Sequence, residues 1–464
     1  MKEIQTDGIY AFADGEGTFV LDIANSRPLR AEGGLEDIAA LEKLRDRPVE
    51  RPRHAPLDYM RAQLCVTHSC NLRCLYCELD GENPRRGGNM DLVTAKRAIH
   101  TILSRKPAHV KKIVISLTSN GEPLVNFDMV DSLISYCDGV AADEGCSFSF
   151  AFATNGTLLT EPILDRILKH ENLKIFFSID GSRSEHDTLR PYAHGGPSYG
   201  DLLSAIRLYV DKTGGLASRQ LGASTVITTH NLDVPAIYRE LIGAGFGDIL
   251  TRPVRGRPGW DFALNAETLE KYKNAYTDFY HFLNETIDRG ETIYLESMTP
   301  VYDFFSKPAC IMILNEKRLY TCYHCPPAGT GAVLGDYSLT YDADGSVICP
   351  CRDVIGIEQF KAGSLDGGID EEVVARISTL TCEGKPECST CWARYICGGG
   401  CFFQSYHATG DIAKADVVMC EMTRHVTRLA MKFLLHLEEA HPPLYAAMKT
   451  RTMKRLPWRC VYGV

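Results

Sequence analysis

Nowhere in the 464 residues does an apolar run approach the roughly 18 to 20 residues that span a bilayer. The opening MKEIQTDG also lacks the basic and apolar segments of a secretory signal, so a cytoplasmic location is expected. Positive charge is not in excess. Fifty Lys and Arg stand against 59 Asp and Glu, giving a net charge of -9, so no global attraction to nucleic acid or to an anionic membrane is expected. No internal repeat of fixed period is visible. With 45% apolar and 23% charged residues, the composition excludes disordered, collagen-like and fibrous classes. What remains is a globular chain long enough for about three domains.

Cysteine is the residue in need of explanation. Eighteen are present, too dilute for a small disulfide scaffold, and a reducing compartment disfavours disulfides in any case. They are also unevenly placed: Cys65, Cys70, Cys74 and Cys77 sit together, and twelve more lie from Cys310 to Cys460. Cys137 continues the helical stripe Phe127, Val130, Ile134, and Cys146 begins the alternation Phe148, Phe150, Phe152. Both read as core, as does Cys65 inside YMRAQLCVT.

Patterning divides the chain into four parts. Residues 1–57 carry two strand-like runs, GIYAFA and GTFVLDI, then a helix candidate, LEDIAALEKL, and a linker marked by Pro48, Pro52 and Pro56. Residues 58–300 alternate strands with helical periodicity; strands are expected at YMRAQLCVT, KKIVISLTS, SFSFAFATN, LKIFFSID, GASTVIT and DILTRPV. Six alternations predict an α/β architecture of parallel strands joined by right-handed crossovers, either an open sheet or a partial barrel. A helix over AETLEKYKNAYTDFYHFLNETID closes this part, and 301–435 is rich in Cys, Gly and turns. The helix VTRLAMKFLLHLEEA then leads into a tail, 436–464. Its last stretch carries Lys449, Arg451, Lys454, Arg455 and Arg459 without an acid, and reads as solvated.

The strongest motif is Cys70-x3-Cys74-x2-Cys77, directly after the first strand of the alternating region. Loops that follow parallel strands form the functional face of such folds. Iron-sulfur clusters are usually held by four thiolates, so three leave one iron open to a substrate or cofactor. A structural zinc site with a distant fourth ligand is the alternative. A second group, Cys388-x2-Cys391-x5-Cys397-x3-Cys401 followed by Cys420, encloses Gly398, Gly399 and Gly400, where the missing Cβ lets backbone N–H groups crowd a metal surface. Paired CxxC elements also suit zinc.

The stretch CNLRCLYC resembles the signature of the radical S-adenosylmethionine superfamily, and the C-terminal cysteines resemble its SPASM extension. The resemblance implies a partial (β/α)6 TIM-like barrel followed by a Cys-rich SPASM domain. It implies three [4Fe-4S] clusters, one of them binding S-adenosylmethionine, whose cleavage yields a 5'-deoxyadenosyl radical that abstracts hydrogen. By the same resemblance Glu122, beside Gly121, holds the methionyl ammonium, Ser178 binds ribose, and Arg190 reaches the cofactor carboxylate; Tyr76, between the second and third cysteines, is read either as stacking on adenine or as packing on the barrel rim. Asn155 and Asp180 belong to the strand ends that match. Asn120 stands where the family has a glycine. Cys388, Cys391, Cys397 and Cys420 are assigned to one auxiliary cluster; Cys322, Cys325, Cys351 and Cys401 to the other, with Cys349 a rival to Cys351. No catalytic side chain is assigned. The implied activity is post-translational modification of a ribosomal precursor peptide or protein, such as a thioether or carbon-carbon crosslink, with a flavodoxin- or ferredoxin-type reductant. Residues 1–57 are read as a leader-recognition element or a cap. Alternatives are an anaerobic sulfatase-type maturase, weakened because Arg352 rather than an aspartate follows Cys351, and a polycysteine electron carrier or zinc protein.

Overall fold

The computed structural model describes residues 1–43, 59–77, 88–117, 120–214, 221–254, 259–298, 305–316, 338–349, 352–380, 382 and 384–459. Strands β1 (Lys2–Gln5), β2 (Ile9–Asp14), β3 (Gly17–Asp22) and β4 (Arg27–Ala31) form an antiparallel sheet in chain order. The two outer strands were not legible in the sequence. Both are short, β1 is largely exposed and β4 sets two exposed arginines around Pro28 and Leu29, so neither carries the apolar alternation that marks a half-buried strand.

All six strands expected in the alternating region form: β5 (Tyr59–Leu64), β6 (Lys112–Ser116), β7 (Ser147–Thr154), β8 (Leu173–Ser178), β9 (Gly222–Ile227) and β10 (Asp248–Pro253). They lie side by side in chain order, every neighbouring pair parallel. Helices on the crossovers bury their apolar stripes. Leu92–Ser104, for example, buries Ala95, Ala98, Ile99, Ile102 and Leu103, and its N-cap Asp91 accepts the Thr94 N–H. Among the described residues β5 and β10 do not pair, so the barrel is partial. Strand β5 pairs instead, in parallel, with β11 (Ser338–Tyr341). From there β12 (Ser346–Ile348), β13 (Lys361–Ser364) and β14 (Gly368–Ile369) continue antiparallel, giving one ten-stranded sheet. The sheet is thus continuous across the domain boundary expected near residue 300.

The helix over Leu269–Asp288 forms as expected, and the one read from VTRLAMKFLLHLEEA is longer, Val417–Ala440, starting from the N-cap Asp416. The expected solvated tail is corrected in part: Pro442–Arg459 is helical. Thr452 is fully buried, and Arg451 donates to the carbonyls of Leu295 and Met298. Arg451 hid this docking because its partners are backbone oxygens, which leave no charge pattern. No helix among the described residues is long and apolar enough to cross a membrane.

The N-terminal sheet is tied to the C-terminal half. Tyr10 of β2 stacks on Trp392 with ring centroids 3.9 Å apart and planes 2° from parallel. Arg428, from the helix Val417–Ala440, donates to Tyr10 and pairs with Glu3 at 2.8 Å. Lys432, one turn on, pairs with Asp14 at 3.1 Å and also with Glu16. Truncating Trp392 removes a buried ring and half of this stack. Trp392→Ala is expected to cost about 3–5 kcal/mol of local stability, read as faster amide exchange in residues 9–22; unchanged protection there would refute the docking role.

Candidate functional site

Because β5 to β10 are parallel, the loops after their C-terminal ends share one rim. The loop carrying Cys70, Cys74 and Cys77 is fastened there by backbone bonds on two sides. On one side Arg73 N–H donates to the Pro191 carbonyl at 2.8 Å, Leu75 N–H to Leu189 at 2.9 Å, and Ala193 N–H returns to Asn71 at 2.9 Å. On the other, Glu122 N–H donates to the Ser69 carbonyl at 2.8 Å. Gly121 is obligatory in this contact, since a Cβ would lie 2.1 Å from the Ser69 oxygen. Gly121→Ala should therefore push the cysteine loop off its seat. Iron bound after anaerobic reconstitution is expected to fall by about one four-iron unit; full iron content would contradict this.

The three thiols are close enough to perturb one another. Burial pushes Cys74 up to about 12, and Cys77 and Cys70 push in the same direction, while Arg190 opposes them. A thiol in that state ionises readily only when a metal replaces its proton. Asn155 Nδ2 lies 3.9 Å from Cys70 Sγ and donates to Asn71 Oδ1 at 2.9 Å.

Two buried carboxylates flank the loop and differ in what they have left to offer. Asp180 is saturated by the protein. Its Oδ2 accepts Arg190 Nε at 2.7 Å and the Tyr76 hydroxyl; its Oδ1 accepts Arg190 Nη2 at 3.2 Å and Val226 N–H at 2.9 Å. Arg190 lies 5.3 Å over the Tyr76 ring, and its Nη1 makes no hydrogen bond among the described residues. Glu122 accepts Thr154 Oγ1 at 2.6 Å, Asn155 N–H at 2.7 Å and Leu124 N–H at 3.1 Å, yet pairs with no cationic side chain among the described residues. Burial raises its pKa, with those hydrogen bonds and then Arg190 opposing. All three of its hydrogen-bond donors are neutral. Ser178 is half-buried at the end of β8.

The segment between Asp180 and Arg190 is held by a neutral histidine. Burial, with Arg190 beside it, lowers the His186 pKa to about 4. Its Nδ1 accepts the Asp180 N–H at 3.3 Å, and its Nε2, 3.2 Å from Ser198 Oγ, carries the proton; that hydroxyl donates to the Arg190 carbonyl at 2.6 Å. Since the folded pKa is depressed from 6.5, the stabilisation is complete above pH 6.5 and is lost as pH falls towards 4. The loss should reach about 3 kcal/mol. Denaturation of His186→Asn should show a shallower decline across this window than wild type, and an identical profile would refute the assignment.

In the C-terminal half, Cys388, Cys391, Cys397 and Cys420 are brought together. Burial pushes Cys388 up to about 11 and Cys420 up to about 12, and in each case the other cysteines of the set add to the rise. Cys388 and Cys397 sit on the short helices Pro386–Ser389 and Arg394–Cys397. Gly398, Gly399 and Gly400 that follow have φ of 84°, 102° and 81°, a run that side chains with a Cβ would resist. Cys382, given no role from sequence, packs fully buried against Cys388. Cys401 caps the helix Phe402–Thr409. Cys349 is buried near Arg376 and Glu371, with its thiol pushed up to about 12 by burial. Cys322, Cys325 and Cys351 lie outside the described residues, so the second auxiliary set is not brought together here.

Sequence reasoning passed over Asn71 and Thr154, whose side chains hold Asn155 and Glu122; both stand beside expected ligands, which was the available signal. It also read Cys65 only as core. Cys65 is buried, but its Sγ accepts the Asn120 N–H at 3.5 Å and lies 3.7 Å from His68 Nε2, which is 2.7 Å from Asp342 of the β11–β12 turn. The separation of His68 and Asp342 is that of a hydrogen bond, and it joins the cysteine loop to the C-terminal hairpin.

The sequence model of the Radical SAM superfamily matches residues 64–219. An uncharacterized protein of Methanocaldococcus jannaschii is 37% identical over 169 residues, covering 36% of this chain and 53% of that protein. The chain thus spans about half the length of this relative. The serine-type anaerobic sulfatase-maturating enzyme of Klebsiella aerogenes is 22% identical over 379 residues, 79% of this chain and 84% of that enzyme. Among solved structures, anSMEcpe with bound AdoMet and Cp18Cys peptide superposes with a TM-score of 0.63 at 16% identity, covering 85% of this chain and 99% of the other. Streptococcus suis SuiB bound to precursor peptide SuiA gives 0.52 at 13% identity, covering 88% and 97%.

Proposed function

We propose that this chain is a radical SAM enzyme that modifies a peptide or protein substrate after translation. The observation that carries the reading is the rim itself: three thiols on one clamped loop, a buried carboxylate that pairs with no cationic side chain among the described residues, and a guanidinium oriented by a second buried carboxylate. When bound, a four-iron cluster with S-adenosylmethionine supplies one-electron cleavage to a 5'-deoxyadenosyl radical that abstracts hydrogen. The chain's own residues bind and orient. Cys70, Cys74 and Cys77 hold the metal; Glu122 takes the amino group of the cofactor; Arg190, kept in place by Asp180, offers Nη1 to its carboxylate. Tyr76, whose hydroxyl is bound to Asp180, packs its ring against Leu189, Val254 and Ala263, and Trp260 and Phe262 flank this cluster. That apolar wall suits the adenine, with Ser178 near the ribose.

The second thiol group is read as an auxiliary cluster on Cys388, Cys391, Cys397 and Cys420, and the other, with Cys401, as completed by Cys322, Cys325 and Cys351 or Cys349. The substrate class rests on the peptides held by anSMEcpe and SuiB. A thioether or carbon-carbon crosslink is our first reading. Sulfatase-type maturation is the second, favoured by the relative that matches 79% of the chain. A cytoplasmic setting and a flavodoxin- or ferredoxin-type reductant complete the proposal.

Anaerobically reconstituted protein with dithionite is expected to release 5'-deoxyadenosine and methionine from S-adenosylmethionine. The change of Cys70, Cys74 and Cys77 to alanine should abolish release, and absence of both products from wild type would sink the reading. Arg190→Ala should weaken cofactor binding at least tenfold, about 1.4 kcal/mol or more for one charged hydrogen bond, with cluster content retained. Unchanged affinity in a binding titration would count against its role. Incubation with sulfatase-derived and precursor peptides, read by mass spectrometry, separates the two substrate readings.

A further inference from the structure

Lys385, three residues before Cys388, is fully buried at 0% exposure. Its ammonium lies 3.4 Å from Ser405 Oγ and 5.1 Å from the centre of the Phe402 ring, and no carboxylate pairs with it among the described residues. A buried ammonium carries a penalty of several kcal/mol. One long hydroxyl contact and one ring offset only part of it. An anion is missing from this balance.

The Cys388 thiol is close enough to feel its charge. The Lys385 carbonyl accepts the Cys388 and Ser389 N–H groups at 3.0 and 3.1 Å, so the helical turn bearing Cys388 is built on Lys385. Phe402 and Ser405 belong to the helix that starts directly after Cys401. A second cation stands at the same thiol group: Arg424 Nη1 is 3.9 Å from Cys391 Sγ, while its Nη2 is held by Glu421. Neutral thiols need no such neighbours. Four thiolates around an iron-sulfur core do, because the assembled unit is an anion.

We propose that Lys385 and Arg424 are built-in counter-charges of the iron-sulfur cluster held by Cys388, Cys391, Cys397 and Cys420, and that they raise its reduction potential. The inference rests on the reading that these cysteines hold such a cluster. One-electron reduction adds negative charge to a unit that is already anionic. A fixed cation in a low-dielectric setting stabilises the reduced form more than the oxidised one. Such a cluster would be poised to accept one electron from the substrate radical left by hydrogen abstraction, oxidising that radical as the cluster is reduced.

The test uses full-length protein reconstituted anaerobically. In a background with Cys70, Cys74 and Cys77 changed to alanine, iron and zinc are counted and the remaining cluster signal is titrated by electron paramagnetic resonance at controlled potential. Zinc or no metal in this background overturns the cluster reading itself, and the inference with it. With iron present, Lys385→Met should shift the midpoint to more negative potential, Lys385→Arg should restore it, and Arg424→Gln should shift it the same way. A midpoint unchanged in Lys385→Met with iron retained overturns the counter-charge role. If Lys385→Met fails to hold its cluster, Arg424→Gln, at a half-buried position, decides: a negative shift supports the proposal and no shift overturns it.

Discussion

The Asp180 carboxylate gathers three separate pieces of chain at one buried point. Tyr76 comes from the cysteine loop, Arg190 from the segment after β8, and Val226 from the end of β9. Each brings a hydrogen bond, and the guanidinium brings the charge that makes a buried carboxylate tolerable. The arrangement fixes the orientation of Arg190 in the plane of a two-point contact, which a lysine could not reproduce. It also locks the cysteine loop through Tyr76, so the three thiols of that loop and the guanidinium cannot drift apart independently. The other buried carboxylate, Glu122, differs in that its hydrogen-bond donors are all neutral.

The two thiol groups are held by different means. Around Cys70 the loop is clamped by backbone hydrogen bonds and by a glycine contact that admits no side chain. Around Cys388 the supports are short helices, three consecutive left-handed glycines and a pair of cations. The former site is shaped by the sheet before any metal arrives. The latter has less regular structure of its own and depends more on what it holds.

Much of this was legible in the sequence. The six parallel strands carried apolar runs or apolar alternation, as in KIVIS and SFSFAFAT, a signal that does not depend on tertiary context. The cysteine spacings located both thiol groups because metal ligation constrains residue type as well as distance. What stayed hidden lacked a local signature. The short strands β1 and β4 show little alternation. The pairing of β5 with β11 joins distant segments. Lys385 looks like any surface lysine until its burial is known, and Cys65 looked like filler until Asn120 and His68 were placed beside it.

The parallel pairing of β5 with β11 also sets an order of assembly. Thr340 of β11 bonds Gln63 of β5 across 277 positions of chain. During synthesis the β5 edge emerges early, while the strand that covers it comes only after the whole barrel has been made. Until then an apolar strand presents unpaired backbone groups, the kind of edge that recruits foreign strands. The nascent chain therefore passes through a stage in which its barrel is formed but its first edge is open. Long-range closure of this sort is slow because the loop entropy must be met before the contact forms. For this protein the C-terminal half acts on the barrel as an intramolecular guard against aggregation, a duty separate from any chemistry its cysteines perform.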